Sequence, residues 1–107
     1  MRQLRTLDQI EEDYFRQHPE EIEEYISIIF EEYAKDDNIG ALLASLRTIA
    51  RAQGITATAI AAGMTRKGLQ KALSEQGNPK FESVNAILHA LGYQLAPQKL
   101  ITSNIEA

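Results

Sequence analysis

The chain has no cysteine and no tryptophan, and its 107 residues include only three prolines and two histidines. Without cysteine there is no disulfide and no thiolate metal ligand, which fits a reducing compartment. The two histidines, His18 and His89, stand far apart in sequence, and no Glu-x-x-His pattern occurs. No phosphate-cradling glycine loop is present, and no serine or threonine has a base beside it to activate a nucleophile. No apolar run follows the first basic residues, and none approaches membrane-spanning length. These absences argue against catalysis, a metal or a cofactor, and against a membrane role. The expectation is a single soluble cytoplasmic domain with a modest core.

Charge is unevenly placed. The net charge of −4 hides two halves. Residues 1–38 carry four basic groups against twelve acidic ones, a net of −8, whereas residues 39–107 carry seven basic groups against three acidic ones, a net of +4. Such asymmetry points to different partners for the two halves.

Thr6 and Gln9 are spaced as a capping box, with Leu7, Ile10 and Tyr14 following at helical spacing. This predicts an acidic helix over 7–17. Pro19 suits the first position of a second helix, with Glu20 and Glu21 complementing its positive end. Ile22, Ile26, Ile29 and Tyr33 form one stripe along it, and Tyr25, Ile28 and Phe30 widen that stripe beyond one core contact. Asp36, Asp37 and Asn38 break this helix and cap the next. Ile39, Leu42, Leu43, Leu46, Ile49 and Ala50 then recur at helical spacing up to Gly54, a C-cap. Arg47 and Arg51 on this helix are within the reach of a phosphate backbone or are simply solvated.

The stretch at 55–74, ITATAIAAGMTRKGLQKALS, organises the rest. It reads as a helix, a tight turn at Gly63 and a second helix N-capped by Thr65. Ala59 and Gly63, four apart, allow a close helix crossing, and Gly63 tolerates the positive φ of the turn. Met64, Leu69 and Ala72 face inward. Arg66, Lys67, Gln70 and Lys71 are left outside, and these residue types meet phosphates and base edges. From spacing alone, a helical hairpin with a solvated basic face is equally open. A turn at Gly77, Asn78 and Pro79 follows, then a helix with Phe81, Val84, Ile87, Leu88 and Leu91 inward and Gly92 at its end. The first N–H groups of that helix, with Lys80, suit a phosphate. Tyr93, Gln94 and Leu95 alternate as a short strand does, one able to pair with its copy across a dimer axis, and Pro97 ends it. Residues 98–107 read as a loose tail despite Leu100, Ile101 and Ile105.

At GMTRKGLQKALSEQGNPKFESVNAILHALGYQL, and at EEIEEYISIIFEEYAKDDNIGALLASLRTIARAQG before it, the chain resembles the addiction-module antidote (antitoxin) proteins, a branch of the lambda-repressor-like helix-turn-helix regulators. The likeness covers about 19–95, and LQKALSEQGNPKF is its most specific part. It implies an all-α, five-helix, lambda-repressor-like domain, here with an extra acidic N-terminal segment. It also implies a homodimer that represses its own operon at a palindromic operator in double-stranded DNA and neutralises a small toxin. By match to the motif, Thr65, Arg66, Lys67, Gln70 and Lys71 would face DNA, with Asn78 and Lys80 near its backbone. The chain departs from the pattern at Ala57, where glutamine is usual, at Thr58, where an aliphatic residue is usual, and at Gln70, where an aromatic is usual.

The expected division is an acidic segment at 1–17, the DNA-binding domain at 18–95 and a tail at 96–107. Within the acidic segment Leu7, Ile10, Tyr14 and Phe15 accompany the carboxylates as an apolar strip for a small basic toxin. Two other functions fit the same residues: a regulator without a toxin, and a protein-interaction module without DNA binding that uses Tyr25, Ile28 and Phe30.

Overall fold

A computed structural model describes residues 6–100. Among these residues the fold is all-α: six helices and one 3-10 turn, with no strand.

Helix α1 spans Leu7–Gln17. Its capping box closes as expected: the Thr6 hydroxyl accepts from the Gln9 N–H at 3.1 Å and the Gln9 side chain accepts from the Thr6 N–H at 2.9 Å. Pro19 does not begin an α-helix. It opens a 3-10 turn, Pro19–Glu21, and α2 starts after it, at Ile22–Asp36. The Glu21 N–H bonds to the His18 carbonyl at 3.0 Å, so the chain bends tightly before the longer helix forms.

Asp37 ends α2 in the left-handed conformation (φ 53°), and Asn38 caps α3, Ile39–Gln53, by accepting from the Ala41 N–H at 3.1 Å. Helix α4, Ile55–Ala62, follows after Gly54 alone. Gly63 then turns the chain with φ 71°. A Cβ there would meet nothing within 4 Å, so glycine serves backbone conformation at this position and not close packing. Thr65 caps α5, Arg66–Ala72, with its Oγ1 2.9 Å from the Gly68 N–H. Helix α6, Phe81–Leu91, ends at Gly92 (φ 98°).

One continuous core joins all six helices. Phe15 of α1, Ile22, Ile26 and Ile29 of α2, the inner face of α3, and Ala59, Leu69, Leu73, Ile87, Leu88 and Leu91 from the later elements all belong to it. Helix α1 lies on α3, α2 packs on α3, and α4 lies between α5 and α6. Thr58 is buried despite its hydroxyl. Phe81 is a correction to the expected inward stripe: it is 75 % exposed. It opens α6, one turn beyond the part of that helix covered by its neighbours, and the inward face starts with the half-buried Val84.

The expected strand at 93–95 does not form among the described residues. Its alternation is kept, with Tyr93 and Leu95 packed against the core and Gln94 exposed, but a strand needs a ladder partner and this chain brings none to it. Residues 96–100 are exposed and without regular structure. The rest of the expected tail, including Ile101 and Ile105, lies outside the described residues.

Candidate functional site

The pair α4–α5 separates its side chains by chemistry. Leu69 faces the core with no exposure, and Leu73, which ends the helix, is 1 % exposed. Met64 and Ala72 are half-buried beside them. Thr65, Arg66, Lys67, Gln70 and Lys71 all face solvent. Lys67, Gln70 and Lys71 are related by three- and four-residue steps and so share one face.

The exposed residues differ in freedom. Thr65 spends its hydroxyl on the cap. Arg66 is tied back to α4, its Nη1 donating to Thr56 Oγ1 at 3.2 Å. The side chains of Lys67, Gln70 and Lys71 have no hydrogen bond or ion pair with a described residue, so their donors are available to a ligand. The stretch 66–80 holds four cations and one acid, Glu75. Asn78 and Lys80 are exposed on the turn that follows and at the N-cap of α6. Lys80 makes no side-chain cap, and Glu82 lies in the first turn of α6, where its carboxylate competes with any anion for the same N–H groups.

Arg47 is engaged elsewhere, which corrects its reading as an exposed group, whereas Arg51 stays exposed but is paired. Arg47 is half-buried and donates to the Leu73 carbonyl at 2.7 Å. Arg51 pairs with Glu12 of α1 at 3.1 Å, and its own carbonyl accepts from Arg16 at 3.3 Å. No spacing in the sequence set Arg47 apart from Arg51 on the same helix. Leu73 continues the stripe from Leu69 and Ala72 and was legible as core, though it was not among the expected inward residues.

The acidic end is built differently. Leu7, Ile10 and Tyr14 are 71 %, 51 % and 43 % exposed and share one face of α1. Phe15 is 8 % exposed; it joins the core, stacked at a tilt on Tyr25 with ring centroids 4.6 Å apart, and is not a surface group in the expected strip. The Tyr14 hydroxyl donates to Glu21 at 2.7 Å, and its ring stacks on His18 with centroids 4.3 Å apart. The bond to Glu21 pushes the Tyr14 phenol above its ordinary pKa, so the tyrosine stays a neutral donor. Burial raises Tyr25 against the opposing hydrogen bond from Ser45, and burial followed by the Glu23 charge raises Tyr93.

A groove of about 590 Å³ runs between α2 and the chain after α6, lined by Ile26, Phe30, Ala34, Leu88, Tyr93 and Leu95 among others, with Glu31 at its side. Tyr25 and Phe30 are half-buried against the core, while Ile28 is 46 % exposed. No group of three or more His, Asp or Glu side chains is placed to hold a metal ion among the described residues, and no described helix is long and apolar enough to cross a membrane.

A family described as probable addiction module antidote protein matches residues 5–99. The chain is also similar to an uncharacterised protein of Haemophilus influenzae, 42 % identical over 77 residues, which cover 72 % of this chain and 79 % of that protein. No solved structure matches.

Proposed function

Because the chain belongs to the probable addiction module antidote family, we propose that it is the antitoxin of a type II toxin–antitoxin pair and a sequence-specific repressor of its own operon. The observation that carries the DNA-reading part is the outer face of α5. Lys67, Gln70 and Lys71 stand together on it, their donors unpaired among the described residues, opposite the buried Leu69. This arrangement supports a lambda-repressor-like helix-turn-helix in which α5 enters the major groove. Gln70 suits adenine as a bidentate partner and a lysine suits guanine, each worth about 1–3 kcal/mol of discrimination. Lys80 and Asn78 lie on the turn that would meet the sugar–phosphate backbone, and Thr65 sets the start of the reading helix.

The toxin would be a small basic protein. In α1 and α2 it would meet acidic side chains that steer it and the exposed Leu7, Ile10 and Tyr14 that anchor it. The antitoxin acts in the cytoplasm without catalysis, as a homodimer on a palindromic operator with half-sites about 10 bp apart or a multiple of that. With about four phosphates neutralised per protomer, the log–log salt slope of binding is ~−7.

Two experiments test this function together. The neighbouring reading frame is expressed alone and with this chain, and the chain is titrated on its upstream DNA and on a scrambled duplex. Toxicity relieved by co-expression, with preference for the upstream duplex, is expected. Gln70→Ala then narrows that preference by about 1–3 kcal/mol, whereas Lys80→Ala weakens both duplexes alike. Binding to upstream DNA with no toxic neighbour would favour a stand-alone regulator. Capture of a partner without any DNA binding would favour an interaction module.

A further inference from the structure

Helix α3 carries two arginines one turn apart, and they go to different places. Arg51 stays at the surface with Glu12. Arg47 turns inward, half-buried, and its guanidinium donates to the carbonyl of Leu73, 26 residues later, at 2.7 Å. Leu73 closes α5. A cation at that end lies against the negative pole of the helix, and the bond is charge-assisted and partly shielded from water.

Other bonds at the end of α5 are local to the chain beside it. The Lys71 carbonyl accepts from the Ser74 N–H at 3.2 Å and from its hydroxyl at 2.8 Å. Gly77 backs so closely onto the same turn that a Cβ on it would fall 2.5 Å from the Ala72 carbonyl oxygen. On its inner side the seven-residue helix rests on Leu69 and Leu73. Apolar contact holds a helix against a core but has no direction, so it sets the rotation of so short a rod only loosely. The bond from Arg47 is directional.

We propose that Arg47 is a positioning residue for DNA reading: it fastens the C-terminal end of α5 to α3 and sets the angle at which Lys67, Gln70 and Lys71 are presented, without touching DNA itself. The proposal rests on the DNA-reading function above and deepens it. It also separates Arg47 from the phosphate contact that its place in the basic half suggests.

The two roles predict different salt behaviour. A phosphate contact adds about 0.9 to the slope of log affinity against log salt. Losing one from each protomer of a dimer therefore flattens the slope by about 2 and weakens every sequence alike. A positioning residue leaves the slope unchanged and costs specificity.

The experiment compares the full-length chain with Arg47→Met, which keeps the length of the side chain and removes its charge and donors. Each protein is titrated over a salt series on its upstream duplex and on a scrambled duplex of the same composition. We expect affinity for the upstream duplex to fall ~10-fold or more, the scale of one lost charged hydrogen bond. A smaller loss on the scrambled duplex and an unchanged slope should accompany it. A slope flattened by about 2, with equal losses on both duplexes, would overturn the proposal.

Amide exchange in the free protein gives a second reading that needs no DNA. The amides of Leu73 and Ser74 should exchange ~10-fold faster in the variant, while those of Ile87 and Leu88 in α6 keep their protection. Unchanged exchange at Leu73, or an equal loss throughout α6, would overturn the proposal even if the wild type prefers no duplex. That last result would count against the DNA-reading function alone.

Discussion

Helix α1 is held by one buried aromatic, Phe15, and turns Leu7, Ile10 and Tyr14 outward among carboxylates. Helix α5 is held by Leu69 and Leu73 and turns only polar and basic side chains outward. Both helices are capped by a threonine hydroxyl on a backbone N–H, so the local device is the same and the surfaces differ. Apolar area left in water is free energy that a protein partner can recover by covering it. Unpaired ammonium and amide groups have no such gain in water and suit a ligand rich in anionic oxygen. Under the proposed function the two surfaces would take different partners, a contrast that substitution can break.

The largest effects should come from the two anchors. Leu69→Ala should destabilise the fold by about 2–5 kcal/mol and Phe15→Ala by about 3–5 kcal/mol, from lost burial and the cavity left behind. Urea unfolding measures both. A loss below ~1 kcal/mol at either position would mean that the helix is held by something other than its buried side chain.

Next in size is the outer face of α1. Replacing Leu7 and Ile10 together by serine should leave stability within about 0.5 kcal/mol, since both are exposed. The same change should weaken toxin binding ~10-fold or more, as expected for exposed anchors of an interface. Titration of the purified pair settles it, and full affinity in the double variant would move the partner site off α1.

The smallest effect is on pH. Tyr25 is raised mainly by burial. A phenol whose folded pKa lies above its unfolded value holds its proton longer in the native state. Its contribution is therefore complete below the ordinary tyrosine pKa near 10 and is lost as pH rises through the higher folded value. Alkaline titration of unfolding should show stability falling above about pH 10, and less steeply in Tyr25→Phe. An identical fall in the variant would assign it to other groups, Tyr14 and Tyr93 among them.

Much of this fold was legible because its signals are local. Thr6 with Gln9, Asn38 and Thr65 announce helix starts through hydrogen bonds that span three residues. Gly63 and Gly92 announce stops because few other residues adopt positive φ. The free face of α5 was legible for the same reason, since once Leu69 points inward the helical repeat places Lys67, Gln70 and Lys71 outside. Pro19 misled because its fixed φ suits a 3-10 turn as well as a first α-helical turn.

What the sequence by itself determined is the set of helices, their caps and the division into an acidic half and a basic half, all of which follow from interactions within about four residues or from simple counting. The tertiary structure alone decided which side of its helix each ambiguous residue would serve. Phe15 and Phe81 are both aromatic on amphipathic helices, yet one is buried and the other exposed, because only Phe15 has helices packed over it. Arg47 and Arg51 sit on one helix, yet one seats α5 and the other holds α1, through partners 26 and 39 positions away. Those partners come within bonding distance only when the helices have packed, and no spacing along the chain encodes that meeting.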